Sequence, residues 1–494
     1  MPHHDHRGPS RAAAFEQSED HALNPGTAPT LGDVINARFK RRSLLGGALG
    51  VSAIAALGTS PLALLVGGRE ARADSPAGRF PVKELEAGVD ATPHVAEGYE
   101  AEVLIRWGDP VLPGAPAFDP YRQSADAQEQ QFGYNNDYIG FVPLNGNPDH
   151  GLLCVNHEYT NEELMFPGLG SYDDAFSNVT AELVEIEMAA HGGAIIEIRR
   201  VDGRWQVAPD SRYARRISAR RTQMLLSGPA SGHDRLKTGA DPTGMRVLGT
   251  LNNCAGGITP WGTYLMAEEN FHGYFQGELP ADHPEQANHE RYGVPGGWYA
   301  WGRFHDRFDV SKEPNEPNRF GWVVEVHPMD PESTPIKRTA LGRFKHEGAE
   351  SIVNGDGRVV LYMGDDQRFD YLYKFVTAGT FEPDDPAANR DLLDSGTLYV
   401  ARFAEDGSLD WLPLVHGQGP LTTANGFASQ ADVLIETRRA ADLLGATPMD
   451  RPEDVEPNPQ TGKVYVMLTN NSKRKPEQTD AMNPRGPNPH GHII

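Results

Sequence analysis

Short runs of apolar and β-branched residues alternate with Gly-, Pro- and Asp-bearing breaks along most of the chain, the pattern of many short strands. Residues 101–107 (AEVLIRW), 132–142, 151–155, 194–200 and 204–208 each predict a strand, the last two joined as a hairpin across Asp202-Gly203. The pattern returns at 320–326, 338–345, 358–363, 371–376, 397–403 and 463–468. Two stretches have helical periodicity instead. Residues 180–190 stop at Gly192-Gly193, and 429–444 open on a Ser429/Asp432 capping pair and end at Gly445. Four strands run into polar, metal-capable residues at Glu158, Glu269, Asp366 and Asn471, spaced 111, 97 and 105 residues apart. Each interval fits two four-stranded propeller blades of about 40–50 residues. Inner strands of a propeller line one channel, so acidic ends from different blades would meet there. The pattern predicts an all-β chain, a β-propeller with helical insertions. A β-sandwich or a pair of β domains is the alternative.

The stretch 252–270 concentrates candidate chemistry. Cys254 is read as opening a turn on Gly256, Gly257 and Pro260, and the apolar run 264–267 ends on Glu268-Glu269-Asn270. A soft thiolate and hard carboxylates at the two ends suit a metal such as iron better than calcium alone. Adjacent strand residues face opposite ways, so only one of Glu268 and Glu269 points inward, and the pattern does not say which. His346-Glu347-Gly348-Ala349-Glu350 follows a strand directly. Residues 450–457 (DRPEDVEP) pack Arg451, Glu453 and Asp454 into a Pro-restrained segment. Carboxylates on stiff backbone hold hard cations, and a guanidinium beside them offers a fork for paired anionic oxygens.

A formal charge of −23 argues against a nucleic-acid binder and leaves a solvated acidic surface or carboxylates gathered around cations. Two cysteines are too few for a disulfide framework, although one Cys154–Cys254 bridge stays open. No P-loop, zincin helix or Gly-X-Ser-X-Gly elbow occurs, so serine-triad chemistry has no support. A multi-cation site that activates water needs no such nucleophile.

Residues 1–37 are polar and without periodicity, the composition of a disordered segment. A basic cluster with paired Arg41-Arg42 then precedes a weakly apolar, Gly/Ala-rich run, followed by Ala71-Arg72-Ala73 before Asp74. This arrangement predicts a cleaved twin-arginine signal over residues 1–73, with an uncleaved anchor as the alternative. The expected partner is the twin-arginine translocase, the expected location periplasmic or extracellular, and the mature chain 74–494 has no stable membrane span.

Several motifs occur in one order from about Pro81 to Ile494: RWGDP, FGYNNDY, NHEYT, AAHGGAIIEIRR, SGHDRLKTGADPTG, LNNCAGGITPWGTYLMAEEN, FKHEGAES, MDRPEDVEPNP and NNSKR…NPRGPNPHGHII. Together they resemble the PhoX family of bacterial alkaline phosphatases. The resemblance implies a six-bladed propeller holding two ferric ions and calcium ions bridged by an oxo group, and hydrolysis of phosphomonoesters. It implies Cys254 as the thiolate on iron, and Glu158, Glu269, Glu347 and Asp366 in metal-bearing stretches. Glu453, with Asp454 beside it, adds coordination, and Arg451 is the catalytic residue that holds substrate phosphate. Family members continue past Ile494. Residues 488–494 read as the entry to a strand, so the last blade is expected to be incomplete. The expected function is an exported phosphomonoesterase acting on small substrates, with the protein a monomer. The alternatives are a calcium-dependent propeller hydrolase of lactones or esters, and a non-catalytic calcium-binding propeller. The thiolate argues against the first of these, because calcium has no use for sulfur.

Overall fold

The computed structural model describes Leu85 and residues 88–494. The expected signal over residues 1–73 lies outside them. The chain divides into one unit containing Leu104–Ile494 and another ending at Val103, whose described residues form no helix or strand.

The larger unit is mostly β, with few helices, in four sheets. The first holds Asn136–Pro143, His150–His157, Gly192–Val201 and Arg204–Val207 in order, with Arg215–Ile217 also paired to Gly192–Val201. The second runs Arg246–Leu248, Gln223–Ser227, Ile336–Arg338, Val323–Val326, Tyr264–Glu268 and Asn253–Ile258. The third follows chain order through Glu350–Val353, Arg358–Gly364, Leu372–Thr380, Gly396–Phe403 and Leu409–Pro413. The fourth is Pro452–Pro457, Val464–Leu468 and His492–Ile493, so the segment expected to enter a strand does pair. No closed propeller is found among the described residues.

Local chemistry accounts for most element boundaries. Thr180 caps Ala181–Ala190 by accepting from Leu183 N, and Asp202 (φ 50) with Gly203 (φ 81) makes the predicted hairpin turn. Three expectations fail. Residues 101–107 form no strand, since β-propensity without a paired neighbour does not make one. The strand predicted over 338–345 ends at Arg338, and Thr339–Leu341 is a 3-10 turn closed by Gly342 (φ 81). Its apolar residues, Leu341 and Phe344, are buried without ladder pairing.

The helix predicted over 429–444 is two, Gln430–Ile435 and Thr437–Leu444, broken at Glu436. Its ladder is interrupted because neighbours take the carbonyls. Leu434 O accepts from Arg343 N at 2.9 Å and from Thr437 Oγ1 at 2.7 Å. Both ends are as predicted: Ser429 Oγ accepts from Asp432 N, and Gly445 closes the second helix at φ 71. Cys154 and Cys254 are both free thiols, so the open question of a bridge is answered.

Candidate active site

One hairpin from each sheet repeats a single geometry. The residue just past the returning strand donates its backbone N–H to the residue that enters the first strand. These bonds are Glu158 N to Asn135 O (3.0 Å), Glu269 N to Asn252 O (2.9 Å), Asp366 N to Lys345 O (3.0 Å) and Thr469 N to Arg451 O (3.1 Å). One position further in, Asn136 faces His157, Asn253 faces Glu268, His346 faces Asp365 and Pro452 faces Leu468. The next residues are Asp137, Cys254, Glu347 and Glu453. All four line one cavity of about 350 Å³, together with Glu158, Glu269, Asp366 and Arg451.

Backbone irregularity aims these side chains. After Asn136, Asn253 and Pro452 the register slips, so that Asp137-Tyr138, Cys254-Ala255 and Glu453-Asp454 each place two residues against one on the partner strand. Such bulges re-aim a side chain at the rim of a sheet. Asn135, Asn252 and Arg451 precede them with φ of 47, 48 and 57. Asn tolerates the left-handed region; an arginine there is uncommon and held by its surroundings.

The glycine-rich turn expected after Cys254 is instead the strand Asn253–Ile258, and the chain reverses at Thr259–Thr263. Gly256 and Gly257 serve close packing. A Cβ on Gly256 would lie 2.2 Å from Leu265 O, and one on Gly257 would lie 2.2 Å from Ala349 O. Ala349 N donates to Gly256 O at 3.1 Å, which brings the hairpin bearing Glu347 against the one bearing Cys254. Asn156 joins the first sheet by donating to Ala255 O at 3.0 Å.

Cys254 Sγ lies 3.0 Å from Glu347 Oε1 and 3.7 Å from Asp137 Oδ2. Ligand atoms of Asp137, Glu158 and Cys254, and again of Cys254, Glu269 and Glu347, fall within 4.8 Å of one another. Burial and the facing carboxylates push the Cys254 thiol well up, and burial with Asp366 as neighbour does the same for Glu269 and Glu347. Asp137 is raised to about 6 by burial and by Asp454. Buried Glu269 Oε1 has no hydrogen-bond partner among the described residues. Oxygen and sulfur donors crowded this closely, with their charged forms disfavoured until a cation arrives, fit a metal-binding site.

The structure separates the adjacent glutamates. Glu268 is fully buried among donors, with Lys337 Nζ at 2.6 Å, Thr250 Oγ1 at 2.8 Å and the backbone N–H of Gly321 at 3.0 Å. Glu269, one residue on, faces the cavity. Glu268→Gln is therefore expected to cost about 3–5 kcal/mol of stability by stranding Lys337. Denaturant unfolding checks this, with Glu269→Gln as the variant that keeps its stability. Equal losses in the two would contradict the division.

Arg451 is bidentate on Asp366, at 2.8 Å from Nε to Oδ1 and 2.7 Å from Nη2 to Oδ2, and reaches Glu453 Oε1 at 3.1 Å. Its sequence neighbour Asp450 instead holds Arg474 at 2.5 Å. Asp454, the second residue of the Glu453-Asp454 bulge, lies outside the cavity lining. It is exposed, close enough to Glu350 and Glu456 that the three charges affect one another. Asn471, the fourth expected strand end, is two residues past the equivalent Thr469. Its Oδ1 accepts from Lys473 N and Arg474 N. Asp137 escaped the sequence reading, although Asn135-Asn136-Asp137 parallels Asn252-Asn253-Cys254 in plain view.

A family profile described as Alkaline phosphatase PhoX matches residues 80–494. Pseudomonas fluorescens PhoX, solved in complex with vanadate, a transition state analogue, has 45% sequence identity and a TM-score of 0.74 to this chain. The alignment covers 81% of this chain and 70% of that one. No curated protein matches the chain. A match over most of the sequence and a shared fold at that identity reach the same answer: this chain belongs to the PhoX family of alkaline phosphatases and is a phosphatase.

Proposed function

We propose that the cavity is a multinuclear iron and calcium site at which small phosphomonoesters are hydrolysed to an alcohol and inorganic phosphate. One observation carries this reading. Asp137, Glu158, Glu269, Glu347, Asp366 and Glu453 surround the cavity with Cys254, while the one guanidinium in its lining, Arg451, is engaged by Asp366. A phosphate dianion entering that ring meets repulsion from every side, and bound cations reverse the sign of the field. Cys254, Glu158, Glu269 and Glu347 would hold ferric iron, with Asp137 as an addition to the set. Asp366 and Glu453 would hold calcium, with Asp454 contributing charge from behind. Such ions supply Lewis acidity and an activated water at ordinary pH. Asp366 would serve a cation, and Arg451 would present its planar fork to two phosphoryl oxygens and orient the phosphorus for in-line attack.

Elemental analysis of the purified protein, paired with p-nitrophenyl phosphate turnover before and after chelation, tests the reading. Iron and calcium together, with activity lost on chelation and restored by both ions, is the expected result. Calcium alone, or full activity in metal-free protein, would overturn it.

Four equivalent hairpins meeting at one cavity are what inner strands of propeller blades provide, which supports a propeller over 74–494, and the family resemblance implies six blades for it. The twin-arginine pair supports export of a folded monomer, by way of the translocase, to the periplasm or beyond. No helix among the described residues is long and apolar enough to cross a membrane. Replacing Arg41 and Arg42 together with Lys is expected to hold the precursor in the cytoplasm, read by fractionation. Undiminished export of that double variant rejects the signal.

A further inference from the structure

A second cavity, of about 260 Å³, lies between the segment Gly277–Leu279, the helix Gln286–Tyr292 and Val294-Pro295. His289 lines it and is almost wholly buried, yet neither ring nitrogen has a hydrogen-bond partner among the described residues. A buried polar group without a partner is destabilising, and this ring carries two such atoms. Burial, with Arg343 nearby, holds the imidazole down to about 4, so it is neutral and offers one donor and one acceptor. The rest of the lining is mixed. Leu279, Val294 and Val310 are aliphatic, while Gln286 and Glu278 supply polar ends.

We propose that this cavity is a binding site for a small aliphatic alcohol, its hydroxyl on the His289 ring and its carbon chain against Leu279, Val294 and Val310. A transition-metal ion is the weaker occupant. It would need three or four ligands, and the groupings of metal-capable side chains among the described residues do not include His289. A charged ligand would give up its hydration for a neutral ring, whereas a hydroxyl can donate to one ring nitrogen or accept from the other without carrying charge into the cavity. Phosphomonoester hydrolysis releases alcohols, so the enzyme's own products include this class. The chain also links the two cavities. Val294-Pro295 borders this one, and Trp298-Tyr299, a few residues on, borders the catalytic one. Gly296 N to His272 O (2.9 Å) and Trp298 N to Gly273 O (2.8 Å) tie the linking segment down.

Metal-loaded full-length enzyme labelled with [15N]histidine is titrated with 1-butanol, and the His289 ring resonances are assigned by their loss in His289→Gln. A saturable shift of those resonances is expected. Calorimetric affinity should fall at least about tenfold in His289→Leu, because the hydroxyl loses its partner. It should persist in His289→Gln, which keeps a donor and an acceptor. Leu279→Trp, at a half-buried position on the cavity wall, should block binding while leaving phosphatase turnover unchanged. No saturable shift, equal affinity in His289→Leu, or a cavity that takes xenon but not butanol would each overturn the proposal.

Discussion

Arg451→Ala is expected to lower phosphatase turnover by about 10²–10³-fold while iron and calcium stay at wild-type stoichiometry. Arg451 sits on the wall of the catalytic cavity, and its guanidinium is the cation in that lining facing six carboxylates. In the fold it makes two parallel bonds to Asp366, so its geometry is that of a fork already aimed at paired oxygens. A phosphoryl group whose charge shifts in the transition state gains more from such a fork than its ground state does, and the loss therefore falls on kcat. Arg451→Lys should recover little, because an ammonium is a point charge without the planar pair of donors. Steady-state kinetics together with elemental analysis separates the two roles open to this side chain. If Arg451→Ala loses metal along with turnover, its bond to Asp366 is structural and the phosphate clamp lies elsewhere.

Cys254→Ser is expected to lose iron and, with it, nearly all activity. Cys254 is the thiol in the cavity lining, and both close groupings of candidate ligands include it. A hydroxyl in its place is a harder and far less acidic donor, poorly matched to ferric iron among carboxylates that already repel one another. Cys154 provides the control. It lies in the strand His150–His157, fully buried in the main core, opposite Ile195 and Gly140 on the flanking strands. Cys154→Ser should lower stability by about 1–3 kcal/mol, through an unpaired hydroxyl in an apolar site, and keep its iron. Iron content measured on both purified variants decides the assignment. Loss in the Cys154 variant with retention in the Cys254 variant would reverse it.

Much of this protein was legible in its sequence. Strand composition and glycine spacing predicted a mostly β chain, and nearly every apolar run from 132 onward became a strand. The recurrence of carboxylates at strand ends marked Glu158, Glu269 and Asp366, which all reach the cavity. That signal survives because the polypeptide writes each hairpin end locally, as an apolar run followed by an acid. The resemblance to the phosphatase family rested on the same stretches.

Other features depended on partners far away in sequence. Glu268 and Glu269 are chemically identical neighbours, and only the arrival of Lys337 and the Gly321 backbone makes one structural and leaves the other facing the cavity. The sequence pattern offers Asp454 beside Glu453 on equal terms, but the pair forms a bulge, and only Glu453 is part of the cavity lining. Residue type points to Asn471, whereas register makes Thr469 the position equivalent to the other three strand ends. The long helix predicted over 429–444 breaks because Arg343, almost a hundred residues earlier, takes a carbonyl its ladder needed. By itself the sequence determined which residues could carry this chemistry and roughly where strands begin and end. Tertiary structure decided which of them face one another, because residue type does not specify strand register: bulges within each hairpin aim the side chains, and the close approach of Gly257 to Ala349 brings separate hairpins together.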